Sequence, residues 1–250
     1  AALLVALHPG LIAYSAVVMT EPLAGFLVTL AAWVVLRGPE RLVNHLWAGA
    51  ILTAAVLVRP STLVAAPLLA FIHPRLDRRV LGRVAAACVI CGVGVLPWTV
   101  RNCVRMDGCA FVSTNAGWNL AIGAISDTGR FQVLRANDGC PVVTGQVQQD
   151  RCWWDVGWRV IRERPLRWLS LVPKKLAQTF DHESFPVEYL HESDPVSWPT
   201  QRRTWARERL TDCHRALLVV ASFLGVAWVG WSQRRSLAFW LQVGLKVGIL

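Results

Sequence analysis

"LAGFLVTLAAWVVL" fills positions 23–36 and carries no charge on any side. A surface helix of a soluble protein keeps a polar face, whereas one that is apolar all round is buried in a large core or in lipid. Residues 46–58, 60–72, 84–100 and 216–231 are likewise free of Asp, Glu, Lys and Arg, with Arg59 alone at the junction of the first two. Several of these runs fall short of the about 20 residues that a perpendicular span needs. Flanking His, Trp and Thr extend them, and arginines at their ends can snorkel to the interface. The expected fold is mainly α: a polytopic α-helical membrane protein with a mixed, partly helical extracytoplasmic block.

Charge placement orients the chain. The net charge of +10 would suit a polyanion partner if it formed one patch. It lies instead in short seams at 37–44, 74–83 and 233–235, which hold Arg37, Arg41, Arg75, Arg78, Arg79, Arg83, Arg234 and Arg235 against Glu40 and Asp77. If the runs cross alternately, all these seams fall on one side, and the positive-inside bias makes that side cytoplasmic. The block 101–215 falls on the other side, where sixteen Lys/Arg are nearly balanced by thirteen Asp/Glu. The charge therefore reports topology, and nucleic acid is not an expected partner. The expected division is 1–100 as the end of one span and about four more, 101–215 as the outer block, and 216–250 as further spans with the last unfinished.

Within the outer block, "CAFVSTNAGWNLAIGA" (109–124) alternates and carries turn-formers, which predicts a strand or two. Residues 148–180 predict two helices broken near Pro165 and again at Pro173. There Trp153, Trp154, Trp158, Ile161, Trp168, Leu169 and Leu176 recur at helical spacing opposite Arg159, Arg162, Arg167 and Lys174. Such a pattern fits a helix lying on a membrane surface and, equally, one packed on its own domain. Residues 181–212 read as loop plus a short helix. Pro97 and Trp98 read as a helix stop and an interface anchor.

The cysteines predict little chemistry. Cys88 and Cys91 form CxxC inside an apolar run with no second ligand pair, so packing is expected and no metal. Cys103, Cys109, Cys140, Cys152 and Cys213 lie where disulfides are permitted. Five is odd; Cys103 with Cys109 is the most local candidate pair.

Three features put polar groups at the outer boundary. Glu21 opens the helix 22–36 and either complements its N-terminal dipole or faces a cavity. Arg59 stands at an outward hairpin tip, where it either snorkels to lipid phosphate or binds a phosphate ligand bidentately. Arg101 and Asn102 precede a turn-rich stretch with Asn115, Gly117, Asn119 and Gly123, residues that suit polyhydroxy or phosphate groups and also ordinary turns.

The order "YSAVVMTEPLAGFLVTLAAWVVLR", "LTAAVLVRPSTLVAAPLL", "VGVLPWTVRN", "FVSTNAGWNLAIGA", "RPLRWLSLVPKKLAQTF" resembles the multi-span glycosyltransferases of the GT-C class. It is most similar to bacterial relatives of protein O-mannosyltransferases and of the lipid A aminoarabinose transferase. The resemblance implies a bacterial cytoplasmic-membrane enzyme that moves a sugar from a polyprenyl-phosphate carrier to a glycan, lipid or protein acceptor on the outer face, with no cofactor. It implies a carboxylate near the catalytic centre at Glu21-Pro22, and lipid-phosphate contacts at Arg59, Arg101 and Lys174 or Lys175. It also places the main catalytic acid in a first external loop upstream of these residues, so the piece alone is expected to be inactive. The rival readings are a transporter or flippase without covalent chemistry, and a ligase that takes polysaccharide from a lipid carrier.

Overall fold

The computed structural model describes residues 5–17, 19–73, 75–141, 145–181 and 184–232, and of 228–232 the backbone only. The unfinished last span, Arg234, Arg235, His182 and Glu183 lie outside the described residues. Along the chain run α1 (Pro9–Ser15), α2 (Thr20–Leu36), α3 (Leu42–Val58), a broken return of 3-10 and α turns over 60–72, α4 (Arg78–Arg105), α5 (Ala116–Ile125), α6 (Gln146–Glu163), α7 (Pro165–Thr179), α8 (Phe185–Ser193) and α9 (Thr200–Ser232). The described residues are mainly helical and contain no strand. Two stretches are long and apolar enough to cross a bilayer, Arg78–Arg105 and Thr200–Ala227, or three if α1 and α2 count together as one bent span.

The chain divides into two compact units, one of residues 23–180 and one of 1–22 with 181–250. In the first, α3 and α4 carry the core with Leu52, Val56, Val84, Cys91 and Val95, joined by Ala31 and Val35 of α2. Small residues set the approach of this pair. A Cβ on Gly49 would lie 2.6 Å from the Ala87 carbonyl oxygen, and one on Gly94 would overlap Thr53. Contacts of 49 with 87 and of 53 with 94 rise together, so α3 and α4 run parallel. The return 60–72 is what allows that: it carries the chain back, and its bends follow from Pro60 and Pro67. At one end Arg83 donates to the Pro39 carbonyl at 2.7 Å and pairs with Glu40 at 2.8 Å, and His45 stacks on His73 with Nε2 to Nε2 3.1 Å. Arg83 and the turn around Pro39–Glu40 thus gather at one end of the pair.

A second core in the same unit joins α5 and α6 through Ala121, Trp153 and Val156, with Leu134 and Cys140 between. Gly117 and Gly157 allow the crossing: a Cβ on Gly117 would overlap the Asp150 carbonyl, and one on Gly157 would lie 2.9 Å from the Ala121 amide nitrogen. The strand expected within 109–124 is therefore replaced by a helix. Gly117, Ala121 and Ala124 bury at spacings of four and three, a helical face made of residues small enough to look like turn-formers.

Three other boundaries move. Pro97 does not stop α4, which continues to Arg105. Proline removes one hydrogen bond, but in an apolar setting each further opened peptide group costs several times more, so the helix resumes. α6 and α7 do break at Arg164-Pro165, whereas Pro173 sits inside α7. Of 181–212, only the linker around 194–199 is non-helical between α8 and α9, because α9 starts at Thr200 and runs on into its apolar half. Cys103–Cys109 is a disulfide, as is Cys140–Cys152, which leaves Cys213 exposed and unbridged.

In the second unit, α1 and α8 pack on the first half of α9. His8 caps α1, its Nδ1 accepting from the Leu11 amide at 3.3 Å. The His8 proton is thereby on Nε2, which donates to Nδ1 of His214 at 3.2 Å. Glu188 of α8 pairs with Arg203 at 3.4 Å and Arg207 at 3.2 Å, and Arg215 pairs with Asp181.

Candidate functional site

Arg101 and Asn102 lie near the end of α4 away from Arg83 and Glu40. The register that sets 49 beside 87 and 53 beside 94, an offset of 38 to 41 residues, places Arg59, at the C-terminus of α3, level with about residues 97–100 of α4. Arg101 is exposed there; its guanidinium lies over the Trp98 ring at 4.9 Å and donates to Asn102 Oδ1 at 3.0 Å. Arg59 has extended backbone as the chain leaves α3.

Asn102 has a different task. It is 2% exposed, and its Nδ2 donates to the carbonyls of Ala110 at 3.1 Å and Val112 at 3.2 Å. Trp98 Nε1 also reaches the Val112 carbonyl at 3.1 Å, and Thr99 the Phe111 carbonyl at 2.7 Å. These bonds fold the chain back over the end of α4, so Asn102 offers its amide to the backbone and not to a ligand. They also fix where α5 begins. Asn115 follows Val112 by three residues, which span at most about 11 Å.

Asn115, Asn119 and Gly123 are spaced by four on α5 and so share one stripe. Both asparagines are exposed, and the Asn115 side chain makes no cap bond. The stripe ends on Lys175 of α7, whose Nζ donates to the Gly123 carbonyl at 2.7 Å. Partial burial pushes the Lys175 ammonium below the usual lysine range. Lys174 is exposed and reaches the Asp127 carbonyl at 3.4 Å. The stripe of two amides thus has a lysine at its far end.

Four residues that position this arrangement escape a reading of the sequence. Asp107 accepts from the Val147 amide at 3.1 Å and the Gln148 amide at 2.9 Å, capping α6 from the end of α4. Those amides, Gln148 foremost, hold its carboxyl below the usual aspartate range. Asp150 caps α5 by accepting from the Gly117 amide at 2.7 Å. Arg167 caps the other end of α5, donating to the carbonyls of Ala124 and Ile125, both at 2.9 Å. It also pairs with Asp127 at 2.6 Å, whose carboxyl it lowers. Gln178 completes the tie with a bond to the Thr128 carbonyl at 2.9 Å. Each partner lies 32 residues or more away in sequence, where no local spacing signals it.

Glu21 stands in the first turn of α2, where Thr20 Oγ1 donates to its Oε2 at 3.3 Å. Two cavities lie elsewhere: one of about 580 Å³ in the second unit among Arg203, Arg207, Glu208, Asp212 and Arg215, and one of about 340 Å³ beside Asp127, Glu163, Arg164 and Arg167. Neither is lined by Glu21, Arg59, Arg101, Asn102, Asn115, Asn119, Lys174 or Lys175, and both carry charges of mixed sign. Among the described residues no group of three or more His, Cys, Asp or Glu is set to hold a metal.

No family model, no curated protein and no solved structure matches this chain.

Proposed function

We propose that the chain is part of a membrane transferase that moves a sugar from a polyprenyl-phosphate carrier to an acceptor hydroxyl at the outer membrane boundary. The observation that supports this most is that Arg59 ends α3 and Arg101 lies near the end of the parallel α4, both away from the Arg83–Glu40 end, with Asn115 only three residues beyond Val112. The resemblance to GT-C glycosyltransferases supplies the chemistry. The acceptor oxygen forms a bond to the sugar's anomeric carbon as the bond to the carrier phosphate breaks. A general base takes the hydroxyl proton, and the departing phosphate keeps the electron pair. Guanidinium groups stabilise that developing charge by bidentate, charge-assisted hydrogen bonds. Exposed amides spaced one helical turn apart suit sugar hydroxyls, since each offers both donor and acceptor. Glu21 orients acceptor or sugar, and the resemblance assigns the base itself to an acid outside these residues.

In the full-length protein, Glu21→Gln is expected to abolish formation of the new glycosidic bond while membrane insertion stays intact. Near-normal turnover would sink the assignment. Arg59→Ala and Arg101→Ala are each expected to raise the donor Kd about tenfold, the loss of about 1.4 kcal/mol that a charged hydrogen bond readily supplies. Unchanged donor affinity in both would make these arginines interface anchors only. Movement of the lipid-linked sugar across the bilayer with no new bond formed would favour a transporter.

A further inference from the structure

Helix α7 has its polar face turned into the protein and its apolar face turned out. Arg167, Lys175 and Gln178 point at α5 and bond its last carbonyls and the turn that follows, with Leu171 buried among them. On the other side Leu166, Leu169, Val172 and Leu176 form an exposed stripe, Leu166 being 80% exposed. Helix α6 continues the pattern. Trp153 is 1% exposed in the α5–α6 core, while Trp154 and Trp158 face outward. Arg162 lies over the Trp158 ring at 5.2 Å, and Arg151 stands one turn before Trp154.

We propose that this outward face of α6 and α7 seats in the interfacial layer of an anionic bilayer, with the leucines among acyl chains and the indole–guanidinium edge at headgroup level. Two observations select lipid over a protein partner. Asp107, two residues past the end of α4, caps the first turn of α6, so α6 starts where the membrane-length helix ends. The exposed charges over 146–179 are Arg151, Arg159, Arg162, Arg164 and Lys174 against Asp155 and Glu163, an excess that complements anionic headgroups. Indoles paired with arginine suit that depth, since one end is apolar and the other wet. The proposal rests on α4 spanning the bilayer, but it does not require transferase activity.

The disulfides make a labelling test practical, because only Cys88, Cys91 and Cys213 are unbridged. With these three replaced by alanine, single cysteines at Leu169, Leu176, Val93 and Arg130 take a spin label. The protein is reconstituted in phosphatidylethanolamine and phosphatidylglycerol. The labels at 169 and 176 are expected to meet oxygen severalfold more readily than a nickel chelate, matching Val93 in α4, with the order reversed at Arg130. A chelate-accessible 169 and 176, with Val93 still in lipid, overturns the proposal and leaves the span intact. Low access to both reagents overturns it too, because a protein surface then covers the stripe. A chelate-accessible Val93 removes the span and the proposal with it. If the alanine background does not fold, brominated-lipid quenching of tryptophan fluorescence serves with native cysteines. Trp154→Phe with Trp158→Phe is then expected to lower the quenchable fraction, and no change overturns the proposal.

Discussion

Asp107 shows how much one carboxylate can govern. It follows α4 and caps α6, and both of its oxygens are committed to backbone amides. Replacing it with alanine is expected to lower the unfolding temperature in detergent. The sign of its pH dependence is fixed by the direction of the shift. Its native carboxyl titrates below the unfolded value near 3.9, so its contribution is complete above that value and is lost as pH falls through the native one. Asp107→Asn should therefore flatten the acid limb of a stability–pH curve, and an unchanged limb would show that the cap contributes nothing. At this scale the sequence was legible where a residue broke a regional rule. Arg59 stood out because it is the one charge between two long uncharged runs. Asp107 and Asp150 broke no rule, and their partners lie 32 residues or more away, so nothing nearby in sequence announced them.

Between elements, small residues set the spacing. Gly49→Ala places a methyl 2.6 Å from the Ala87 carbonyl and 3.0 Å from Ile90 Cβ, so α3 and α4 must part. Overpacking of this kind costs about 1–3 kcal/mol. Gly25→Ala in α2 meets nothing within 4 Å and is expected to be neutral or slightly stabilising, by up to about 1 kcal/mol from helix propensity. Thermal unfolding of the two variants side by side checks the contrast; equal effects would mean that backbone entropy, not contact, decides. Helix existence was readable from uncharged runs, and the α6–α7 break from Pro165. Helix ends at Pro97 and Pro173 were not, since the cost of a proline depends on what surrounds it. The α5 helix was missed because alanine and glycine at its buried positions leave little hydrophobic period to detect.

For the molecule as a whole, the charge seams and the apolar runs foretold the end-to-end polarity of the 23–180 unit: arginines with Glu40 and the histidine pair at one end, Arg59 and Arg101 at the other. A topology experiment follows from the unbridged thiol. In intact spheroplasts a membrane-impermeant maleimide is expected to label Cys213, which is exposed. A cysteine placed at Arg79 should label only after permeabilisation. The reverse result would invert the chain. The disulfide loop beside α4 bears on the order in which such a protein is made. Cys103 and Cys109 enclose Asp107, and the helix that Asp107 caps begins about forty residues later. During synthesis the loop emerges and can oxidise before α6 exists, so the cap waits for its helix. Cys140–Cys152 then fastens the second turn of a helix whose first turn already has a seat. Reduction of both disulfides is therefore expected to loosen the docking of α6 before it disturbs α4.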